Sequence, residues 1–158
     1  MSTATKTSEG IDARIVREGY GDGAWHGPDL KAALAGVTEE RAFSRPGPGR
    51  HSIAEIAMHH AYCVHVVRAK VGGGGGEPFP LEGEDWFELS PAVMAWPRVL
   101  DVVSREQEAL AATAADLDAG RVRSPLGDAE RFDLILGITC HAVYHAGQIQ
   151  LIKVLADR

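Results

Sequence analysis

The chain has 158 residues, of which 45% are hydrophobic and 24% are charged, and its 16 basic and 22 acidic residues give a formal net charge of −6. This length and composition predict a single soluble globular domain with a sizeable core. The acidic balance, with no cluster of Lys and Arg along the chain, argues against a nucleic-acid partner, because neutralising phosphates requires clustered positive charge.

The cysteines and the first residues indicate the cellular compartment. Cys63 and Cys140 have neither CxxC spacing nor the pattern of a disulfide framework, which is typical of free thiols in a reducing cytosol. The segment "MSTATKTSEG" is polar and lacks the apolar stretch of a secretory signal, and no apolar run approaches the length of a membrane span. We therefore expect a cytoplasmic protein with no membrane partner.

The sequence up to residue 50 predicts a disordered N-terminal segment followed by two helices. Residues 1–9 are small, polar and unpatterned, which predicts a disordered segment ahead of a single domain over 10–158. The stretch "IDARIVREGY" is typical of a short helix. The first principal helix is expected in "PDLKAALAGV", where Pro28 suits the first helical position and apolar residues follow at helical spacing. The prolines and glycines of "SRPGPGR" then end any helix.

The second principal helix is predicted to begin after Ser52, because Ser52 and Glu55 have the spacing of a capping box. Apolar residues recur at helical spacing from Ile53 to the five glycines at 72–76. The segment "GGGGGEPFPLEGEDWFEL" that follows indicates a flexible crossover, since the glycine run lacks the Lys-Ser/Thr ending of a phosphate-binding loop.

Two more helices complete the pattern. The third begins either at Ser90 or at Trp96, each followed by a proline (Pro97 in the second case), and ends near Leu117. The last helix is expected over about 131–156. No alternating strand pattern is present, so the sequence predicts an all-α four-helix bundle with a long crossover between helices two and three.

The last helix carries two histidines on the face that its apolar pattern assigns to the core. His141 and His145 lie in "CHAVYHAGQI", one turn apart on the same side of a helix. Burying imidazoles without partners is costly, so their nitrogens should bind a metal, take part in acid–base chemistry or bond to polar neighbours. Position 142 is Ala142, so the HExxH motif of zinc metalloproteases is absent.

The second helix offers the third ligand that a metal site would need. Its apolar stripe is centred on His60, whereas His59 lies about 100° to one side, so periodicity alone favours His60. Cys63, one turn beyond His59, is a fourth conceivable ligand. His65 is interpreted as a solvated or dimer-facing side chain, and His51, which precedes the cap, as local structure.

Three stretches carry a family resemblance: "HSIAEIAMHHAY", "EDWFEL" and "CHAVYHAGQIQLIKVL". With the glycine-rich crossover between the first two, they resemble the DinB-like (damage-inducible) four-helix bundle superfamily. That superfamily is related to the bacillithiol S-transferases and the mycothiol-dependent maleylpyruvate isomerases. The resemblance extends from about "AWHGPDL" to the end of the chain, and its most specific part is the final H-x-x-Y-H-x-G-Q-I pattern.

The resemblance implies three metal-ligating histidines on helices two and four. His141 and His145 match two of them directly, and an ungapped alignment of the second helix places the third on His59. The position after this ligand is usually aliphatic in the superfamily and is His60 here, so His60 stays the alternative. The implied metal is a divalent ion, Zn²⁺, Ni²⁺ or Fe²⁺, held by neutral imidazoles.

The resemblance also implies a function. The metal would activate a thiol or a water, so we expect a metal-dependent thiol S-transferase, with a low-molecular-weight thiol as cosubstrate, or a hydrolase, acting on a small molecule. Tyr144 and Gln148, each one turn from a ligand histidine, are candidates for catalytic roles. The alternative is a non-catalytic metal-binding or structural bundle of a stress response. A homodimer is expected, because members of the superfamily often pair.

Overall fold

The computed structural model describes residues 10–21 and 24–156, and the segment expected to be disordered, residues 1–9, lies outside them. The described residues form six helices and no strand. The helices are α1 (Ile11–Gly19), α2 (Leu30–Leu34), α3 (Glu39–Phe43), α4 (Ile53–Gly72), α5 (Trp96–Asp118) and α6 (Asp128–Ala156). The predicted all-α class is confirmed.

Four of these helices pack as a bundle. α4 packs against α5 and α6, and α1 packs against the same two helices, so that α1 and α4 lie diagonally across from each other. The second, third and last principal helices are where the sequence analysis expects them. The first differs, because its place in the bundle is taken by α1 and not by the segment that begins at Pro28.

The segment after Pro28 forms only the five-residue helix α2, for local reasons. Asp29 caps it, with a side-chain oxygen that accepts a hydrogen bond from the backbone N–H of Ala32 at 2.9 Å. The chain leaves the helix at Ala35, which is extended, and Gly36 then takes a left-handed φ of +71° that turns it away. α2 packs against α6 and α3 packs against α4, so this segment covers the bundle and is not a member of it.

The capping box of α4 is present as the sequence predicts. The hydroxyl of Ser52 accepts from the backbone N–H of Glu55 at 3.2 Å, and the carboxylate of Glu55 accepts from the backbone N–H of Ser52 at 2.8 Å. At the other end Gly73 adopts φ +81°, the left-handed C-cap for which glycine is the preferred residue. The register of the histidines on α4 therefore follows from caps that the sequence encodes.

The third principal helix, α5, begins at Trp96, with Pro97 in its first turn, where a proline is tolerated. The indole N–H of Trp96 donates to the carbonyl of Val37 at 2.8 Å, and its backbone N–H donates to the carboxylate of Glu39 at 3.0 Å. These contacts tie the start of α5 to the α2–α3 segment.

A polar layer crosses the bundle between two apolar clusters. One cluster includes Val103 of α5 and Ala142 of α6, and the other includes Leu110 of α5 and Ile138 of α6. Between them α4 contributes a pair of histidines, α5 contributes Gln107 and α6 contributes a further histidine. No helix within the described residues is long and apolar enough to cross a membrane.

Candidate metal centre

Three imidazoles from two helices converge on one point. His59 lies on α4, and His141 and His145 lie one turn apart on α6. The Nε2 atom of His141 is 3.1 Å from Nε2 of His59 and 3.1 Å from Nε2 of His145. The structure therefore brings together the three histidines that the sequence analysis selected as ligands.

Cys63, the fourth conceivable ligand, lies at the edge of the same cluster. Its Sγ atom is 4.0 Å from Nε2 of His59, and one ligand atom from each of His59, Cys63 and His141 lies within 4.8 Å of the others, so this group could hold a metal ion. Burial raises the pKa of the Cys63 thiol to about 11, and the nearby Asp85 carboxylate adds to the effect. In this protein environment the sulfur is a neutral thiol at pH 7.

Oxygen acceptors hold the outer nitrogens of two of the rings. Nδ1 of His59 donates to the backbone carbonyl of Asp85 at 2.9 Å, with a carboxylate oxygen of Asp85 at 3.0 Å. Nδ1 of His145 donates to Oε1 of Gln148 at 2.7 Å. Because a neutral imidazole has one N–H, each of these bonds leaves a lone pair on the Nε2 atom that faces the cluster.

His60, the ligand that periodicity favours, lies behind His141 and not beside it. Its ring is fully buried, with Nδ1 3.0 Å from Nδ1 of His141 and Nε2 2.8 Å from the amide nitrogen of Gln107. Both of its nitrogens thus face protein groups outside the point where the Nε2 atoms of His59, His141 and His145 meet.

Burial keeps the inner rings neutral at pH 7. It holds the pKa of His60 well below the usual value, and the neighbouring imidazoles lower it further. Burial also lowers the pKa of His141, an effect that the Asp85 carboxylate opposes. Burial lowers the pKa of His145 to about 4, despite the hydrogen bond to Gln148. Neutral imidazole is the form of histidine that binds metals.

The crossover contributes two residues that sequence reasoning did not assign to the site. Trp86 lies between His51 and His59, parallel to both rings, with centroid distances of 3.7 and 3.9 Å. Asp85 adopts a φ of +67°, rare for a residue other than glycine, and in this conformation its carbonyl reaches His59. The signal that could have found them is their position in "EDWFEL", one of the stretches with family resemblance.

A cavity of about 540 Å³ opens beside the cluster. Its lining includes His145, Gln148 and Tyr144 of α6, together with His51 and Trp86. Gln148, which holds His145, donates its amide N–H to the hydroxyl of Tyr144 at 3.0 Å. The two candidate catalytic residues therefore lie in the wall of a cavity that reaches His145.

His65 does not belong to this cluster. Its Nδ1 atom lies 3.1 Å from a carboxylate oxygen of Glu106 on α5, whose other oxygen accepts from Arg68. His65 therefore joins α4 to α5 at a distance from the converging rings.

Comparison with known proteins identifies the family. A family model described as the DinB superfamily matches residues 24–149. Searches among curated proteins and among solved structures give no significant match. The matched span contains every histidine of the cluster, the crossover and most of α6. The chain belongs to the DinB superfamily.

Proposed function

We propose that His59, His141 and His145 bind one divalent metal ion, Zn²⁺, Ni²⁺ or Fe²⁺, and that the protein uses it to activate a thiol or a water. The observation that carries this proposal is the convergence of three Nε2 atoms, 3.1 Å apart in two pairs. Tetrahedral Zn²⁺ with bonds of about 2.0–2.1 Å separates its nitrogen ligands by roughly 3.4 Å. In each of the two pairs an outward shift of a few tenths of an ångström would bring the nitrogens to this spacing.

The donor set favours His145 over Cys63 as the third ligand. The Nδ1–H groups of His59 and His145 are held by oxygen acceptors, which orients each lone pair towards the cluster. Cys63, in contrast, lies at the edge of the cluster, with its Sγ atom 4.0 Å from Nε2 of His59. We assign Cys63 to the surroundings of the site.

The three neutral imidazoles would hold the ion without cancelling its charge, and the bound ion would supply Lewis acidity for the activation of a thiol or a water. The cavity beside His145 supplies room for a small-molecule substrate. Its wall includes the apolar side chains Ile56, Ile152 and Leu155, and Arg50 also lines it. We propose a substrate with an apolar body and an anionic group, together with a low-molecular-weight thiol in the transferase case.

Tyr144 and Gln148 take different parts in this proposal. The hydroxyl of Tyr144 is in the cavity wall and accepts a hydrogen bond from Gln148, so it can donate its own proton to a substrate or leaving group. Gln148 is a positioning residue, because its carbonyl oxygen fixes the ring of His145.

The proposal is tested first by metal content. The protein is purified without a nickel column or chelator, and its metals are measured by elemental mass spectrometry beside His145→Ala and Cys63→Ser. Near-stoichiometric Zn, Ni or Fe that is lost in His145→Ala and kept in Cys63→Ser supports the three-histidine site. Thiol-transfer and hydrolase assays on the loaded protein then test turnover. A loaded protein without either activity favours the alternative, a non-catalytic metal-binding bundle.

We also propose a homodimer that forms through α6. Several large apolar side chains on this helix are 41–62% exposed in the single chain, and they recur at intervals of one or two turns. They are Phe132, Leu136, Tyr144, Leu151 and Leu155. The last three also line the cavity, so the proposed interface runs along α6 from Phe132 to the edge of the cavity and leaves the cavity open. Light scattering after gel filtration is expected to give twice the chain mass, and a monomer at high concentration would contradict the proposal.

A cytoplasmic location is proposed from the thiols. Cys63 and Cys140 are both free, and Cys140 is exposed, which suits a reducing compartment. Fractionation of cells that express the protein tests this, with recovery in the soluble cytoplasmic fraction as the expected result.

A further inference from the structure

We propose that Gln107 and His60 form a buried relay that selects which nitrogen of His141 is free to bind the metal. The inference rests on the proposed metal site, and it assigns part of the metal affinity to two side chains that are not ligands. The relay consists of Gln107 on α5, His60 on α4 and His141 on α6, joined by contacts of 2.8 and 3.0 Å. It links the three long helices of the bundle.

Only one placement of the ring protons is consistent with the hydrogen bonds in the present arrangement. The amide nitrogen of Gln107 can only donate, so Nε2 of His60 accepts and the proton of this neutral ring is on Nδ1. Nδ1 of His60 therefore donates to Nδ1 of His141. The single proton of His141 is then on Nε2, where it points at the lone pairs of His59 and His145. In this arrangement the Nε2 atom of His141 is blocked.

The other orientation of the Gln107 amide reverses every bond of the relay. With Oε1 facing it, Nε2 of His60 carries the proton and donates, and Nδ1 of His60 becomes an acceptor. His141 then donates from Nδ1, and its Nε2 lone pair joins those of His59 and His145. Each ring gives up one N–H proton and gains one at its other nitrogen, so both stay neutral and no net proton is released.

Because the relay is buried, the orientation of the Gln107 amide determines which nitrogen of His60 carries the proton. His60 is 0% exposed and Gln107 is 5% exposed, so water does not substitute for either partner. The nitrogens of His60 are therefore satisfied only when Gln107 and His141 present complementary groups. The ring that binds metal through Nε2 needs an acceptor for its Nδ1–H, and for His141 that acceptor is His60.

The test measures zinc affinity with matched variants. Zn²⁺ dissociation constants come from competition with a chromophoric chelator, using protein stripped of metal and checked for helical content. His60→Leu and Gln107→Leu are expected to weaken Zn²⁺ binding by about 10- to 100-fold. His60→Asn, whose amide oxygen lies near the position of Nδ1, is expected to restore most of the affinity. His65→Leu, on the same helix and outside the cluster, serves as the control and should bind as wild type does.

Nitrogen NMR of the histidine rings gives a second test that needs no variant to fold. On addition of Zn²⁺ to the wild type, the proton of His60 should move from Nδ1 to Nε2, and that of His141 from Nε2 to Nδ1. An unchanged His60 tautomer in the zinc-bound protein overturns the relay. The relay is also wrong if His60→Leu and Gln107→Leu both bind Zn²⁺ with the wild-type dissociation constant while His145→Ala loses zinc. If His145→Ala binds zinc as wild type does, the metal site itself is wrong and the relay is wrong with it.

Discussion

Replacing Trp86 with alanine is expected to weaken metal binding and to leave the bundle folded. Trp86 stacks on His59 with a centroid distance of 3.9 Å and planes 4° from parallel, and it is 38% exposed. The stack helps to hold the His59 ring with Nε2 towards His141. An aromatic pair contributes about 0.5–1.5 kcal/mol beyond its buried area. Since 1.4 kcal/mol corresponds to a factor of ten, the Zn²⁺ dissociation constant should rise about 2- to 12-fold.

The assay is chelator competition with Zn²⁺, with urea unfolding of the metal-free protein as a measure of stability. The control is His51→Ala, which removes the outer ring of the stack and keeps the contact between Trp86 and His59. Its effect on the zinc dissociation constant should be smaller. If Trp86→Ala lowers the free energy of unfolding while zinc affinity stays that of the wild type, Trp86 only stabilises the crossover and does not support metal binding.

Three further substitutions test the cap, the ligand set and the cavity. Burial by itself raises the pKa of Glu55, but the hydrogen bonds from the Ser52 backbone and from Arg45 outweigh it, and the pKa is lowered. A carboxyl of this kind stabilises the fold above its unfolded pKa of about 4.3 and ceases to do so as the pH falls through its folded pKa. Glu55→Gln should therefore lower the free energy of unfolding by about 1.5–3 kcal/mol at pH 7. It should also make the free energy of unfolding less dependent on pH in the acid range, and the same pH dependence as in the wild type would contradict this. Cys63→Ser should keep one metal per chain, and loss of the metal would make Cys63 a ligand. Tyr144→Phe should lower kcat of the detected activity by about 100-fold with metal content unchanged, and an unaltered kcat would assign Tyr144 to packing.

The helices and the family could be predicted because their signals are local. The capping box at Ser52 and Glu55 and the glycine after α4 set the limits of that helix without help from the rest of the chain. The H-x-x-Y-H-x-G-Q-I pattern lies on one helix, so spacing alone puts His141 and His145 one turn apart. The first helix of the bundle was harder, because α1 has nine residues and its packing against α5 and α6 is not a local property.

The spacing of apolar residues is not sufficient to choose between His59 and His60 as the metal ligand. Periodicity finds the most buried position, and His60 is indeed the fully buried ring. A ligand has to face a point that opens to a cavity, which is a property of the packed bundle. Asp85 and Trp86 were missed for the same reason: the crossover has no periodic pattern, and its position over His59 comes from tertiary structure. The full ligand set stays a prediction.

The central claim is that one metal ion lies between the Nε2 atoms of His59, His141 and His145. A crystal grown with Zn²⁺ and measured on both sides of the zinc absorption edge tests it most directly. We expect a single strong anomalous peak about 2.0–2.1 Å from each of the three Nε2 atoms. A peak bound by Cys63 in place of His145, or no peak at these rings in a zinc-saturated crystal, would contradict it.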